Sequence, residues 1–279
     1  MSRKTIPQIT AETEKKLVML TAYDYWTSQL VDQAGTDMIL VGDSLGMVIQ
    51  GNEHTLGVSV EDIIYHTRAV VKGRQNALVV SDMPYMSYHI SEQETIQYAG
   101  RIIREGGADA VKLEGGKKRV SMIQALLDAE IPVMGHLGLT PQSVNKLGGF
   151  KVQGKAPKDR QELKADALAL QEAGVFALVL ECVPFDLARE ITETVDIPTI
   201  GIGAGPYCTG QVLVIHDLLG MSFGFKPKFV RPYANFSETG LNAVESFCKA
   251  VREGEFPSLA ESFGKRTKSN KTTLLYAQK

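Results

Sequence analysis

Cysteine is scarce in this sequence of 279 residues, which contains only Cys182, Cys208 and Cys248. Three cysteines without C-x-x-C spacing argue against a disulfide framework and against a zinc site. The sequence also lacks any apolar run close to the ~20 residues that a membrane helix needs. Its start, MSRKTIPQIT, has no apolar signal-peptide core. We therefore expect a cytoplasmic protein without a membrane partner.

An excess of charge of either sign is missing as well. The 30 basic and 32 acidic residues leave a net charge of −2, so we expect no nucleic-acid partner. Apolar residues make up 44% of the chain and charged residues 22%, which is ordinary for a soluble globular protein. A chain of 279 residues is long for one ordinary domain but normal for a single α/β barrel.

Eight short apolar segments alternate with longer segments of helical character. Most of the eight are apolar throughout, which is typical of parallel strands buried on both faces. The alternation predicts an α/β protein with the (β/α)8 fold, or TIM barrel. An open doubly wound sheet is the alternative. The predicted strands are 17–21, 38–42, 78–81, 110–113, 132–136, 177–181, 198–202 and 212–215.

Capping patterns predict where several helices begin and end. Ser59 and Ser91 each precede an acidic residue by three positions, which indicates helix starts. Gly35, Gly107 and Gly174 each stand between a helical segment and a strand, where a left-handed glycine ends many helices.

No domain linker is visible, and we expect one barrel domain over 1–264 with a basic, mobile tail over 265–279. The longest irregular segment, 137–157, is glycine-rich and basic. It is interpreted as a lid over the substrate, with a long surface connection as the alternative. The glycine-rich segment 201–210 lacks an obvious ribose-binding acid, so we interpret it as the loop after the seventh strand rather than a nucleotide fingerprint.

Ionisable residues stand at or near the carboxyl ends of five predicted strands. In a barrel these strand ends face one shared pocket. A single aspartate after a strand is explained equally well as a helix cap. Four acids at four strand ends need a cation or protons to coexist, and hard carboxylate oxygens favour Mg²⁺ over zinc. The residues are Asp43, Asp82, Lys112, Glu114, His136 and Glu181.

Three of the candidate side chains have competing interpretations. Lys112 and Glu114 are two residues apart and share one strand face, so Lys112 either binds a substrate carboxylate or forms a structural ion pair. Ser44 either offers its hydroxyl and backbone N–H to a carboxylate or caps the next helix. His136 is a hydrogen-bond donor or proton shuttle, or else a structural histidine.

Several segments resemble the signature sequences of one known family, ketopantoate hydroxymethyltransferase. In chain order they are VGDSLGMVIQG, VVSDMPYMSY, VKLEGG, GHLGLTPQSVNKLGGFKVQGK, LVLECVP and GIGAG with the later GQVLVIHDLLG. The resemblance extends from about residue 4 to about residue 234. One departure is Thr209, where the family usually has aspartate, so the role of that loop is open.

The resemblance implies a barrel of the phosphoenolpyruvate mutase and isocitrate lyase type. It implies transfer of a hydroxymethyl group from 5,10-methylenetetrahydrofolate to 3-methyl-2-oxobutanoate, through a Mg²⁺-stabilised enolate. The product would be 2-dehydropantoate (ketopantoate), for pantothenate and coenzyme A synthesis. The small-molecule partners would then be a keto acid and a folate, and the chain would assemble as a homodecamer.

The resemblance also implies roles for individual residues. Glu181 would be the catalytic base, with His136 as its rival. The residues expected to hold Mg²⁺ are Asp43, Asp82 and Glu114. The residues expected to contact the keto acid are Asp43, Ser44, Asp82, Lys112 and His136.

Other functions stay open at this point. Lys112 would be a Schiff-base lysine in a metal-independent aldolase. The chain would otherwise be another Mg²⁺-dependent lyase or aldolase that acts through a 2-keto-acid enolate, or a non-catalytic barrel that binds a keto acid. The non-catalytic alternative is disfavoured because no expected acid or base is missing.

Overall fold

Eight parallel strands close a barrel in chain order, with β1 hydrogen-bonded to both β2 and β8. This computed structural model describes residues 3–12, 15–222, 224 and 226–264. The strands are β1 Leu17–Thr21, β2 Met38–Val41, β3 Leu78–Asp82, β4 Ala110–Glu114, β5 Val133–Gly138, β6 Ala177–Glu181, β7 Thr199–Ile202 and β8 Gly210–Leu213. The predicted (β/α)8 barrel is confirmed, and the open doubly wound sheet is wrong.

Two predicted strands differ from the structure by two residues at one end or both. The last strand begins at Gly210, two residues before the predicted start, because Gly210 pairs with both Leu17 and Ile200. A Cβ on Gly210 would lie 2.7 Å from the Leu17 carbonyl oxygen, so this close approach of two strands requires glycine. β5 continues to Gly138, which places His136 inside the strand rather than at its end.

Helices that connect successive strands cover the outer face of the barrel and pack their apolar sides against outward-facing strand residues. The helices are α1 Ile6–Thr10, α2 Tyr25–Gln33, α3 Leu45–Val48, α4 Val60–Gly73, α5 Glu92–Arg101, α6 Val120–Asp128, α7 Val144–Leu147, α8 Pro157–Ala173, α9 Phe185–Thr194, α10 Ile215–Leu219 and α11 Phe236–Arg252. The segment 203–209, all of it described, joins β7 to β8 without a helix, as the loop interpretation predicts.

The predicted helix caps are present, with one difference. The Ser59 hydroxyl accepts a hydrogen bond from the Asp62 N–H at 3.1 Å, and the Asp62 carboxylate accepts one from the Ser59 N–H at 2.9 Å. Ser91 caps α5 without such a reciprocal bond. Left-handed backbone occurs at all three predicted glycines, with φ of 87°, 84° and 102° at Gly35, Gly107 and Gly174.

Alternate strand residues point into the barrel, where they form a buried apolar cluster. The cluster includes Leu17, Met19, Met38, Leu40, Leu78, Val80, Ala110, Met134, Ala177, Val179, Ile200 and Val212, together with Ile9 of α1. Inward-facing residues two positions further toward the carboxyl ends of the strands, such as Asp82, Lys112 and Glu181, are ionisable and point into the barrel mouth.

Two compact units divide the chain, the first ending at Ala234 and the second beginning at Asn235. All eight strands belong to the first unit, and α11 belongs to the second. The single domain over 1–264 stays a prediction, and the predicted basic tail 265–279 lies outside the described residues. Within the described part of the chain, no helix has the length and apolar character that crossing a membrane requires.

Candidate active site

A cavity of about 790 Å³ opens at the carboxyl ends of the strands. Every residue singled out as a site candidate from the sequence lines this cavity. They are Asp43, Ser44, Asp82, Lys112, Glu114, His136 and Glu181. The structure therefore brings all seven together, while their individual roles stay predictions.

Strand register places the candidate side chains beside one another. Asp82 is paired with Lys112 across β3 and β4, and Glu114 is paired with His136 across β4 and β5. Because residues two apart on a strand share a face, Lys112 and Glu114 both point into the barrel mouth, as predicted. Glu181 ends β6, the next strand around the barrel.

Lys112 and Asp82 form a buried ion pair. Lys112 Nζ lies 2.8 Å from Asp82 Oδ1, and no described residue makes a hydrogen bond of good geometry to that oxygen. The other Asp82 oxygen accepts the backbone N–H of Asp43 at 2.9 Å. Burial disfavours the charged form of Lys112, but the neighbouring carboxylates of Asp82, Glu114 and Asp43 outweigh it and raise the Lys112 pKa.

Asp43 lies in a crowded anionic environment. Burial, followed by repulsion from Asp82 and Glu114, raises the pKa of Asp43 well above its usual range. Lys112 and a hydrogen bond from Gln142 oppose this shift without cancelling it. Three carboxylates thus share one buried lysine, which leaves the site short of positive charge.

His136 connects this group to Glu181. Its Nδ1 lies 3.5 Å from Glu114 Oε1, and its Nε2 lies 3.2 Å from Glu181 Oε2. Burial and the charge of Lys112 lower the His136 pKa, but the contacts with Glu114 and Glu181 outweigh them and raise it to about 9. The Glu181 side chain is 17% exposed, so this carboxylate is open to the cavity.

The backbone of Glu181 is closely packed by its neighbours. Its carbonyl oxygen accepts the Leu139 N–H at 2.8 Å. A Cβ on Gly138 would lie only 2.2 Å from the same oxygen, and Gly138 has a φ of 96°, so this position requires glycine. Cys182 follows with a φ of 47°, and its N–H donates to the Ile202 carbonyl. These contacts hold the end of β6 at the rim of the cavity.

Ser44 does not act as the helix cap that was the alternative interpretation. Its side chain makes no cap hydrogen bond to α3, and its Oγ instead lies 2.8 Å from the Tyr23 hydroxyl. Tyr23 is almost fully buried, and burial raises its pKa. Tyr23 was not predicted as a site residue, although it follows β1 by two positions as Asp43 follows β2.

Gln142 is a second residue that the sequence reasoning missed. Its amide nitrogen donates to Asp43 Oδ2 at 2.8 Å and to the Met83 carbonyl at 3.0 Å. Its amide oxygen accepts from the Tyr88 hydroxyl at 2.5 Å, and its backbone N–H donates to Glu114 Oε2 at 3.1 Å. Gln142 is a neutral residue in the predicted lid, so no charge or strand-end position marks it in the sequence.

Comparison with known proteins identifies the family. The sequence profile of ketopantoate hydroxymethyltransferase matches residues 3–259. A 3-methyl-2-oxobutanoate hydroxymethyltransferase from Moorella thermoacetica is 56% identical over 264 residues, covering 94% of this chain and 98% of that relative. The chain belongs to the ketopantoate hydroxymethyltransferase family. A relative with the same name from Syntrophomonas wolfei is 54% identical and covers 94% of this chain and 96% of its own length.

Solved structures of proteins outside the ketopantoate hydroxymethyltransferase family have the same fold as this chain. A phosphonopyruvate hydrolase in complex with oxalate and Mg²⁺ superposes with a TM-score of 0.61 at 14% identity, covering 94% of this chain and 93% of the other. A 2,3-dimethylmalate lyase of the phosphoenolpyruvate mutase and isocitrate lyase superfamily gives 0.58 at 15% identity, with 92% and 89% covered. The predicted fold type is confirmed.

The departure from the ketopantoate hydroxymethyltransferase pattern at Thr209 lies away from the cavity. The Thr209 hydroxyl donates to the Thr199 carbonyl at 2.8 Å and accepts the Thr199 N–H at 2.6 Å. These bonds join the amino ends of β7 and β8, opposite to the barrel mouth. Thr209 therefore supports strand pairing rather than the candidate site.

The donor atoms at the mouth of this ketopantoate hydroxymethyltransferase family member fit Mg²⁺. Within the described residues, no three His, Cys, Asp or Glu side chains form a ready-made metal cage. Mg²⁺ commonly uses one or two carboxylates and completes its shell with water and substrate, so a cage is not required. The Asp43 carboxyl is crowded by the like charges of Asp82 and Glu114, which an added cation would relieve.

Proposed function

We propose that this chain transfers a hydroxymethyl group from 5,10-methylenetetrahydrofolate to 3-methyl-2-oxobutanoate, consuming one water and forming 2-dehydropantoate and tetrahydrofolate. The observation that carries the proposal is the open carboxylate of Glu181 beside a buried group of three carboxylates and one lysine. A carboxylate base beside an anionic site that can bind a cation is suited to removing a proton from the carbon next to a keto group, because the cation stabilises the resulting enolate. Relatives of more than 50% identity bear the name of this activity.

The keto acid is held by polar groups on the β2 to β5 side of the mouth. Lys112 offers a buried positive charge for the substrate carboxylate, and Ser44 offers a hydroxyl that Tyr23 orients. His136 would contribute a ring N–H from the cavity wall, where its Nδ1 and Nε2 also lie near Glu114 and Glu181. In this proposal Glu181, which lines the same cavity on β6, is the carboxylate that C3 of the keto acid faces.

Glu181 removes the proton from C3, and the electron pair of that C–H bond passes into the enolate. Bound at Asp43, Asp82 and Glu114, Mg²⁺ would supply Lewis-acid stabilisation of the negative charge that develops on the keto acid. Water cleaves the two C–N bonds that hold the methylene group, which releases tetrahydrofolate and a one-carbon carbonyl unit. C3 then forms the new carbon–carbon bond to that carbonyl carbon, and the carbonyl oxygen takes up a proton to become the product hydroxyl. The chain contributes alignment and charge, and the folate contributes the one-carbon chemistry.

The buried ion pair argues against the Schiff-base alternative. A lysine must lose its charge before its amine attacks a carbonyl. Lys112 instead lies 2.8 Å from Asp82 in a site with an excess of carboxylates, all of which favour the charged ammonium form. Lys112 is therefore assigned to binding rather than to covalent catalysis.

The direct test is an assay with 3-methyl-2-oxobutanoate and methylenetetrahydrofolate, with and without Mg²⁺. We expect 2-dehydropantoate only when all three are present. Release of a keto acid from a larger substrate without any need for folate would instead assign the chain to the lyases or aldolases. Binding of the keto acid with neither product formation nor C3 proton exchange would leave the non-catalytic alternative.

A further inference from the structure

The ionisable residues of the cavity occupy only part of its wall. Those assigned to the keto acid and the metal come from β2 through β6, which form one side of the barrel mouth. The remaining side, formed by β7, β8 and β1, presents Ile202, Val212 and Val214 to the cavity. Thr21 also lies there, but its hydroxyl accepts the backbone N–H of Ile215 at 2.9 Å. A second reactant that meets the keto acid has to lie against this largely apolar side.

One carboxylate on this apolar side has no assigned role. Four charged residues of the cavity lining have not been assigned to the keto acid, the metal or proton removal. Glu53, Lys151 and Lys228 are exposed, whereas Asp217 in α10 is half-buried. Burial raises the Asp217 pKa, and Lys226 only partly opposes the shift. Among the described residues, none donates a hydrogen bond to the Asp217 carboxylate. A partly desolvated carboxylate without a donor costs stability, which is typical of a group kept for a ligand.

We propose that Asp217 binds the pterin ring of the folate co-substrate by accepting hydrogen bonds from its ring N3–H and its 2-amino group. This inference rests on the proposed function, because it assumes a folate as the one-carbon donor. The two pterin donors are neighbours in one plane and match the two oxygens of a carboxylate, as in other bidentate pairs. The flat ring then lies against the apolar side chains of Val212, Val214 and Phe229.

A second cavity of about 660 Å³ adjoins the first and gives the rest of the folate a path outward. The two cavities share Val152, Cys182, Lys228 and Phe229 as lining residues. Lys16 and Lys228 are the charged residues in the lining of the second cavity, and both are basic. Positive charge at this end suits the carboxylates of the glutamyl tail.

The test compares wild type with Asp217→Asn for calorimetric binding of three probes. These are tetrahydrofolate, 6-methyltetrahydropterin, which lacks the tail, and p-aminobenzoylglutamate, which lacks the pterin. We expect the Kd of the first two to rise about tenfold to a hundredfold, since a charge-assisted bidentate contact is lost. The Kd of p-aminobenzoylglutamate should not change. Glu53→Gln, which neutralises an exposed carboxylate of the same cavity, is the matched control and should bind all three as wild type does.

Folate-free exchange of the C3 proton of 3-methyl-2-oxobutanoate in D₂O separates this inference from the proposed function. Asp217→Asn should exchange at the wild-type rate, and its melting temperature should not fall, because the cost of burying this charge outweighs its attraction to Lys226 and no described residue donates a hydrogen bond to it. Unchanged binding of 6-methyltetrahydropterin, or loss of exchange in the variant, would overturn the assignment of Asp217. Absence of exchange in wild type would instead overturn the proposed function, whatever the variant binds. Asp217→Ser serves as a second variant with the same expected outcomes.

Discussion

The side-chain amide of Gln142 donates a hydrogen bond of 2.8 Å to Asp43 Oδ2. The backbone N–H of the same residue donates to Glu114 Oε2 at 3.1 Å. One residue of the loop after β5 thus orients two of the three carboxylates predicted to hold Mg²⁺. Groups that orient metal ligands in this way commonly change metal affinity when they are replaced.

Gln142→Met keeps the size of the side chain but removes its contact with Asp43. We expect the Kd for Mn²⁺, measured by electron paramagnetic resonance as a probe of the Mg²⁺ site, to rise about tenfold to a hundredfold. Turnover should recover toward wild type at saturating metal. Gln153→Met in the same loop is the control, because the Gln153 side-chain amide donates only to the Lys151 carbonyl, at 2.9 Å, among the described residues. Wild-type Mn²⁺ affinity in Gln142→Met would contradict the role of Gln142.

Glu181→Gln should bind the keto acid and Mg²⁺ but lose Mg²⁺-dependent exchange of the C3 proton into D₂O. The amide keeps the shape of the carboxylate and cannot accept the proton. Proton NMR of 3-methyl-2-oxobutanoate in D₂O measures the exchange rate. If exchange persists in Glu181→Gln and disappears in His136→Asn, then His136 is the base and the two roles are reversed.

Activity should depend on a divalent cation. Asp82→Ala and Glu114→Ala should each weaken Mn²⁺ binding, because each removes one carboxylate from a buried group that lacks positive charge. Exhaustive treatment with a chelator should abolish turnover, and added Mg²⁺ should restore it. Full activity after chelation, together with covalent labelling of Lys112 by borohydride and keto acid, would establish the Schiff-base mechanism instead.

Asp32 in α2 should make stability depend on pH. Its carboxylate accepts the backbone N–H groups of Gln75, Asn76 and Ala77 at 3.1, 2.9 and 2.7 Å. Burial alone would raise the Asp32 pKa, but these hydrogen bonds outweigh it and lower the pKa. A lowered folded-state pKa stabilises the fold above the unfolded pKa of about 3.9, and this stability is lost as the pH falls through the folded value.

Asp32→Asn should therefore lower the free energy of unfolding at pH 7 by about 1–3 kcal/mol. The difference from wild type should shrink as the pH falls below about 4 and vanish below the lowered folded-state pKa of Asp32, where both proteins are neutral at this position. Urea unfolding of both proteins at several pH values measures this difference in the free energy of unfolding. Asp128→Asn, at an exposed aspartate of α6, is the control. A difference that stays constant down to pH 3 would show that charge at Asp32 is not the cause.

We expect a homo-oligomer, and from the family resemblance a decamer. In α11 no residue is buried, and Leu241, Val244 and Val251, together with Phe247, leave an apolar face exposed. Such a face is typical of a surface that another chain covers. Light scattering should give about ten times the chain mass of 30.5 kDa. Val244→Glu should lower that mass and Glu245→Gln should not, whereas a monomeric wild type would contradict the expectation.

Much of the fold follows from local patterns in the chain. Apolar segments and glycine caps predict the limits of six of the eight strands to within one residue. Because the carboxyl ends of barrel strands face one pocket, the sequence also places Asp82, Lys112 and Glu114 together at the barrel mouth. The last strand is misplaced because Gly210 and Gln211 do not have strand-like side chains, and only their pairing with β1 and β7 makes them part of the barrel.

The barrel class, the family and the set of strand-end side chains can be inferred from the amino-acid sequence, since these depend on periodicity and on order along the chain. Which side chains touch depends on how the chain folds in three dimensions. Gln142 and Asp43 are 99 positions apart, and Ser44 is bound by Tyr23 rather than by its own helix. Hydrogen bonds and desolvation act over a few ångströms in space, whatever the separation along the chain. Contact partners and pKa shifts are therefore set by the closure of the barrel, and not by any local pattern.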